Sequence, residues 1–208
     1  MALDVVFLSY GEPNAEENWE RLLESAPHAK RVKDIDGIVS AHKECARISK
    51  TRNFFVIDAD NYMTSAFDPL WKPPEDQKNY IHLWQTLNGA NGLIYGYGGV
   101  KCFPKKLLRK LNTKPLDLTT SIGDIVIHTE IWSNVRFDTS PFHCYRSGFR
   151  EGVKLAKLID EGDPQAYYKL NHWINHRPLE TPYSFASNGA EDGRDFYYQN
   201  KDNSEQLH

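Results

Sequence analysis

Cysteine is scarce in this chain of 208 residues: there are three, Cys45, Cys102 and Cys144, odd in number and far apart. That usage implies neither a disulfide framework nor a cysteine zinc site, and a reducing, cytoplasmic compartment is expected. Long apolar runs are missing too. No segment approaches the roughly 18 consecutive apolar residues of a membrane span. The opening "MALDVVFLSY" carries Asp4 and an apolar run of only four, so no signal peptide is expected. Charge of one sign is not in excess: the formal net charge is -3, which argues against wholesale polyanion binding and leaves room for a local basic patch. Internal repeats and low-complexity tracts are also absent.

What remains is an ordinary globular composition, 40% apolar and 25% charged, long enough for one sizeable core. A single domain over residues 1–200 is expected, with a disordered tail at 201–208. Asp4 to Ser9 reads as a strand. Asn14 looks like a helix cap, with Glu17 three residues on, before "EENWERLLES". "KRVKDID" suggests a short strand and turn. In "GIVSAHKECARISK", Ile38, Ala41, Cys45 and Ile48 recur at helical spacing. "NFFVIDAD" is a continuous apolar run, as expected of a strand buried on both faces. Strand, helix, strand, helix, strand implies a parallel sheet flanked by helices, an α/β class.

Further on, the stretch from Asp68 to Asn91 is irregular, with a strand around "YIHLWQT". "GLIYGYGGVKCFP" is a short strand running into glycines, and Pro104 is placed to start the helix "PKKLLRKL". "SIGDIVIHTEIW" alternates like a strand. A long helix follows with Ser140 as cap and Pro141 at its start, its buried stripe expected at Phe142, Tyr145, Phe149, Val153, Ala156 and Ile159. Asp163-Pro164 opens another helix through Trp173. From "SNGAEDGRDFYY" onward the chain reads as a polar, glycine-containing tail.

The feature that carries chemistry is "DAD", Asp58-Ala59-Asp60, at the exit of the buried run Phe54-Phe55-Val56-Ile57. In an open parallel sheet, ligands bind outside the carboxyl ends of the strands. Two carboxylates at i and i+2, with no internal cation expected, repel each other. A hard divalent cation such as Mg²⁺ or Mn²⁺ removes that cost, keeps waters and binds diphosphates. The pair therefore reads as a clamp for a nucleoside diphosphate. The plainer alternative is that D-x-D caps a strand and starts a turn.

The order Gly-Ile, Ala-His, helix, buried strand, D-x-D in "GIVSAHKECARISKTRNFFVIDADN" resembles nucleotide-sugar glycosyltransferases of the GT-A fold, which has a Rossmann-like, mostly parallel sheet. "AHKECA", "DADN", "YGYGGVKCFPK", "LTTSI" and "SPFHCYRSGFRE" further resemble glycosyltransferases of large tailed phages, some of which attach sugars, arabinose included, to hydroxylated cytosine in their own DNA. The resemblance spans about residues 4 to 200 and implies a cytoplasmic enzyme of the infected host. It implies that Ser9, Tyr10, Glu12 and Ala59 neighbour a nucleotide-sugar donor, most simply a UDP-sugar, with Gly37 and His42 flanking base and ribose. Asp58 and Asp60 would hold the metal, and Gly98 and Gly99 would allow close approach of sugar or acceptor. The nearest match to the acidic base is Glu151, although a Glu-Asp pair is missing. A third metal ligand is open among His128, His143, His172 and His176.

Other candidates come from the residues themselves. His143 stands near a helix start beside Arg146. Arg146 and Arg150, four apart, share a helix face and can grip phosphates, while Glu151 lies about 100° around the helix. Trp84 and Tyr97 are candidates to stack on a base. Lys101, Lys105, Lys106, Arg109, Lys110 and Lys114 form an acid-free basic stretch suited to the backbone of double-stranded DNA carrying modified cytosine. Three other readings compete. A glycan or small-molecule acceptor needs no basic face. A nucleotidyltransferase needs a glycine-rich loop with lysine near the N-terminus, which "SYGEPN" is not. A catalytically dead binding module would not keep both aspartates.

Overall fold

A computed structural model describes residues 2–95, 98–111, 118, 122–137, 139–176 and 183–202. Its contacts divide the chain into two compact units, Met1–Leu87 with Ile94–Val135, and Asn88–Leu93 with Arg136–His208.

The first unit is an α/β sheet. Strand β1 (Asp4–Ser9) leads through helix α1 (Ala15–Ser25) to β2 (Lys30–Lys33), then through α2 (Ile38–Ile48) to β3 (Asn53–Asp58). The two crossovers lay these strands parallel in the order β2-β1-β3, with Val6 opposite Lys30 and Val56. Both faces are covered, which is why β3 is a continuous apolar run. Alternation sends Val5, Phe7, Phe55 and Ile57 to one face, where Ala15 and Leu22 of α1 pack. Val6, Phe54 and Val56 go to the other, under Cys45 and Ala46 of α2.

Beyond β3 the sheet turns antiparallel. Strand β7 (Val100–Pro104) pairs with β3, setting Lys101 opposite Val56, and on its other side with β5 (Ile81–Asn88), setting Lys101 opposite Leu83. The remaining strands are β4 (Asn61–Met63), β6 (Ile94–Tyr95) and β8 (Ile125–Val135); the sheet order is β2-β1-β3-β7-β5-β8-β4, with β6 on β5. The expected α/β sheet flanked by helices is present, with its parallel pairing at β2-β1-β3. Pro104 closes β7 and caps α3 (Lys105–Lys110), rather than opening the helix. Asn14 caps α1, but its side chain makes no capping bond.

The second unit is helical: α4 (Pro141–Asp160), α5 (Pro164–Asn175) and α6 (Ser184–Asn200). Ser140 Oγ accepts from His143 N, and Asp163 accepts from Gln165 N, as their sequence positions require. The buried stripe of α4 departs from expectation: it is Cys144, Gly148, Gly152, Leu155 and Ala156, while Phe142 is exposed. The reason is α6. A Cβ on Gly148 would fall 1.9 Å from Ala186 O, and one on Gly189 2.1 Å from Tyr145 O. The two backbones meet through glycines, so the supposed polar tail is a packed helix. Lys201 Nζ donates to Asp160 Oδ2 at 2.9 Å, tying down the start of the expected tail; residues 203–208 lie outside the described part. All three cysteines are buried. No described helix is long and apolar enough to cross a membrane.

Candidate functional site

The ends of the parallel strands converge on the aspartate pair. Leu8 lies opposite Asp58 in the sheet, and Ala59 N donates to Leu8 O at 3.0 Å. From α1, Asn18 Nδ2 donates to Ala59 O at 2.7 Å, and from β7's edge Gly99 O accepts from Asp58 N at 2.9 Å. The D-A-D turn is thus held by its backbone, leaving both carboxylates half-buried at the sheet's rim.

Asp58 has a partner the sequence did not suggest. Lys101 Nζ donates to Asp58 Oδ2 at 2.5 Å, with the lysine side chain 5% exposed and the aspartate 37%. The expected carboxylate pair without an internal cation is therefore corrected: β7 supplies one, and Lys101 leaves the surface basic stretch. Its aliphatic stem lies on the apolar face of the sheet while the ammonium reaches the rim.

Asp60 is held by a directed chain. Ser133 Oγ donates to Asn61 Oδ1 at 2.8 Å, so Thr86 Oγ1, 2.8 Å from Ser133 Oγ, must donate in turn; Asn61 Nδ2 then donates to Asp60 Oδ1 at 2.6 Å. Thr86, Ser133 and Asn61 are all buried. Burial first, and then the negative charges of Asp58 and Glu12, push the Asp60 carboxyl up to about 7; Lys101 and Asn61 offset this only in part. Among the described residues, the charges of Asp58 and Glu12 thus act on Asp60, with the Lys101 ammonium against them. A hard divalent cation that is content with one or two carboxylates, waters and phosphate oxygens fits that donor set. Among the described residues no cluster of three or more His, Cys, Asp or Glu is arranged to hold a metal.

The other expected donor-side residues occupy the same unit. Ser9 is buried, and its Oγ accepts from Arg31 Nε at 3.1 Å. Tyr10 is exposed, and its N–H donates to Glu12 Oε2 at 2.6 Å, which closes the loop after β1. Gly37 caps α2 at φ 80°, a left-handed conformation that favours glycine. His42 is 2% exposed, and its Nδ1–H donates to Ile38 O at 2.8 Å. Nε2 is therefore a bare acceptor, buried and without a hydrogen-bond partner among the described residues. Burial, helped by the nearby Lys101 charge, pulls His42 down to about 4, so it is neutral near pH 7.

The acceptor-side expectations fare differently. Trp84 is 1% exposed and sandwiched between Trp132 (ring centroids 4.0 Å apart) and His128 (4.6 Å), with Trp71 edge-on at 4.7 Å. Both its faces are occupied, so it is core and not a platform for a base. Gly98 adopts φ 73°, while the close approach at Gly99 is to Asn61. Tyr97 and Lys114 lie outside the described residues. Lys106, Arg109 and Lys110 are exposed on α3, whereas Lys105 Nζ is bonded to Ser49 O.

Of the histidines considered as a third ligand, His128 Nε2 lies 3.0 Å from His82 Nδ1; since His82 Nε2 must donate to Gln77 O, His128 donates to His82. In the second unit His143 Nδ1 contacts Ser140 Oγ at 2.7 Å, His172 Nε2 donates to Asn91 O at 2.7 Å, and His176 stacks on His172. Arg146 and Arg150 are exposed on α4, and Glu151 accepts from Lys154 Nζ at 3.1 Å. Sequence reasoning missed Lys101 as the partner of Asp58, and also Asn61, Asn18 and Arg31. Asn61 had a signal, being the polar residue directly after the aspartates.

No family model and no curated protein matches the chain. Among solved structures, it is similar to a mannosyltransferase from Pyrobaculum calidifontis in complex with GDP-Man and Mn²⁺, at 12% identity over 96% of this chain and 76% of that one, TM-score 0.43. It is similar to HddC from Yersinia pseudotuberculosis complexed with GMP-PN, at 12% identity over 81% and 97%, TM-score 0.41. A glycosyltransferase involved in glycosylation of the major capsid of PBCV-1 is similar at 16% identity over 61% and 82%, TM-score 0.36. At these scores the likeness assigns neither substrate nor chemistry to this chain.

Proposed function

We propose that this protein is a metal-dependent glycosyltransferase that takes a sugar from a nucleoside diphosphate, most simply UDP, with its donor site at the carboxyl ends of β1 and β3. The observation that carries this reading is the excess of negative charge around Asp60: Asp58 and Glu12 act on a half-buried carboxylate, and Lys101 balances only one of them. Asp58 and Asp60 would hold the cation, which would supply the positive charge that stabilises a diphosphate leaving group. The Asn61–Ser133–Thr86 chain keeps Asp60 oriented. The loop from Ser9 to Glu12 follows β1 and Gly37 starts α2, and in this reading they receive base and ribose. The first loop has one glycine and no lysine, which disfavours the nucleotidyltransferase reading.

The acceptor is proposed to be hydroxylated cytosine in DNA. The support is the phage-type motif set and the exposed cations Lys106, Arg109 and Lys110, with no acid between them. Calorimetric titration of UDP with Mn²⁺ and with excess EDTA tests the donor site. Binding that needs the metal is expected; equal binding in EDTA would refute it.

A further inference from the structure

Lys101 is an unusual partner for a metal carboxylate. It emerges from the middle of the sheet, between Val56 of β3 and Leu83 of β5, and a Cβ on Gly98 would touch its Cδ at 3.4 Å. Its ammonium is 2.5 Å from the carboxylate that a cation would also use. A divalent ion on Asp58 and an ammonium on the same carboxylate repel, so the ion weakens or breaks the existing bond. A lysine only 4% exposed then leaves a buried charge without its partner, which is costly unless a second acceptor is close.

A second acceptor exists on the same face. Phe103 follows Lys101 by two residues on β7, so the two side chains share a side of the sheet. The His42 ring packs edge-on against Phe103, with centroids 5.7 Å apart. With its Nδ1–H committed to Ile38 O, His42 keeps a buried, bare Nε2 that has no hydrogen-bond partner among the described residues. Buried polar atoms of native proteins are nearly always paired, and each exception calls for an explanation. An acceptor with no donor among the described residues and an ammonium whose bond a cation would weaken or break share one face of one sheet.

We propose that Lys101 is a two-position countercharge: it holds Asp58 while the site is free, and moves to His42 Nε2 when a divalent cation takes Asp58. The proposal rests on the reading of Asp58 and Asp60 as metal holders. Lys101 is thereby a positioning residue that offsets the mutual repulsion of Asp58 and Asp60, and His42 is the buried resting place of its ammonium.

The test is a double-mutant cycle read by Mn²⁺ affinity, from the electron paramagnetic resonance of the free ion, on wild type, Lys101→Met, His42→Phe and the double variant. Lys101→Met keeps the apolar stem and removes the competing charge, so Mn²⁺ binding tightens about tenfold or more. His42→Phe weakens Mn²⁺ binding in the presence of Lys101 and has no effect in the Lys101→Met background. Unchanged or weaker binding by a folded Lys101→Met overturns the proposal, as does an equal His42→Phe effect in both backgrounds. A second measurement needs no variant at the lysine: addition of Mg²⁺ to wild type shifts the ¹⁵N resonance of His42 Nε2 towards its hydrogen-bonded position. A resonance that stays put while Mg²⁺ binds also overturns it. Failure of the donor reading shows separately, as UDP binding indifferent to metal in wild type.

Discussion

Gly99 and Asn61 are packed so closely that a Cβ on the glycine would lie 2.1 Å from Asn61 Oδ1. Asn61 Oδ1 accepts from Ser133 Oγ and its Nδ2 donates to Asp60, so moving the amide strains a bond at each end. Gly99→Ala therefore displaces the amide that orients Asp60. The expected result is a loss of about 1–3 kcal/mol of stability, typical of overpacking, together with weaker Mn²⁺ binding. Thermal unfolding with and without Mn²⁺ measures both. Gly98→Ala acts through its positive φ instead and should cost stability without the same loss of metal response.

Asp60 gives the metal-free protein a pH dependence of definite sign. Its folded value is raised to about 7 from an ordinary 3.8, so between those values the folded state binds more protons than the unfolded one. Stability then falls as pH rises from about 4 to about 7. Asp60→Asn should flatten this part of the profile and raise the melting temperature at pH 8 in EDTA, while abolishing the stabilisation that UDP with Mn²⁺ gives to wild type. A variant that loses stability at pH 8 and keeps the Mn²⁺ response would exclude Asp60 from the clamp.

Asp4 has the opposite sign. Burial alone would raise its carboxyl, but the Lys30 ammonium and the N–H groups of Thr51 and Lys50 outweigh burial and hold it at about 2. A depressed folded value means the contribution is present above pH 4 and is lost as pH falls towards 2. Asp4→Asn should cost about 1–2 kcal/mol at pH 7, allowing for solvent screening, and almost nothing at pH 2. Urea unfolding of both proteins at the two pH values checks this.

The parallel half of the sheet was legible because β1 and β3 are buried on both faces, which leaves uninterrupted apolar runs, and the turn chemistry after β3 exposed the aspartates. Lys101 was not legible. It lies 43 residues from Asp58, and in sequence it is one cation among six in a stretch that looks solvated. Trp84 misled for a related reason: nothing local distinguishes a tryptophan stacked in the core from one offered to a ligand. Helix α6 was hidden because the α4–α6 seam uses glycine where a hydrophobic stripe was sought. Gly189→Ala tests that seam, since its Cβ would meet Tyr145 O. A drop of roughly 4–10 °C in melting temperature is expected.

The acceptor assignment makes the last prediction. With Lys101 turned inward and Lys105 bonded to Ser49, the exposed cations of α3 reduce to Lys106, Arg109 and Lys110. A surface of this size contacts few phosphates, so DNA binding should be weak and salt-sensitive, and sequence-tolerant because it reads only the backbone. Reversing all three to Glu should lower the salt slope of DNA binding by roughly 2–3 units and leave UDP binding with Mn²⁺ unchanged. Transfer itself is read by incubating the protein with candidate nucleotide sugars and DNA containing 5-hydroxycytosine or 5-hydroxymethylcytosine, then digesting to nucleosides for mass spectrometry. A pentose or hexose added to the modified nucleoside is the expected product, and its yield should fall in the triple variant. If neither DNA gains a sugar while a glycan or small molecule does, the acceptor is not DNA. The proposed donor site at Asp58 and Asp60 would then stand on its own charge balance.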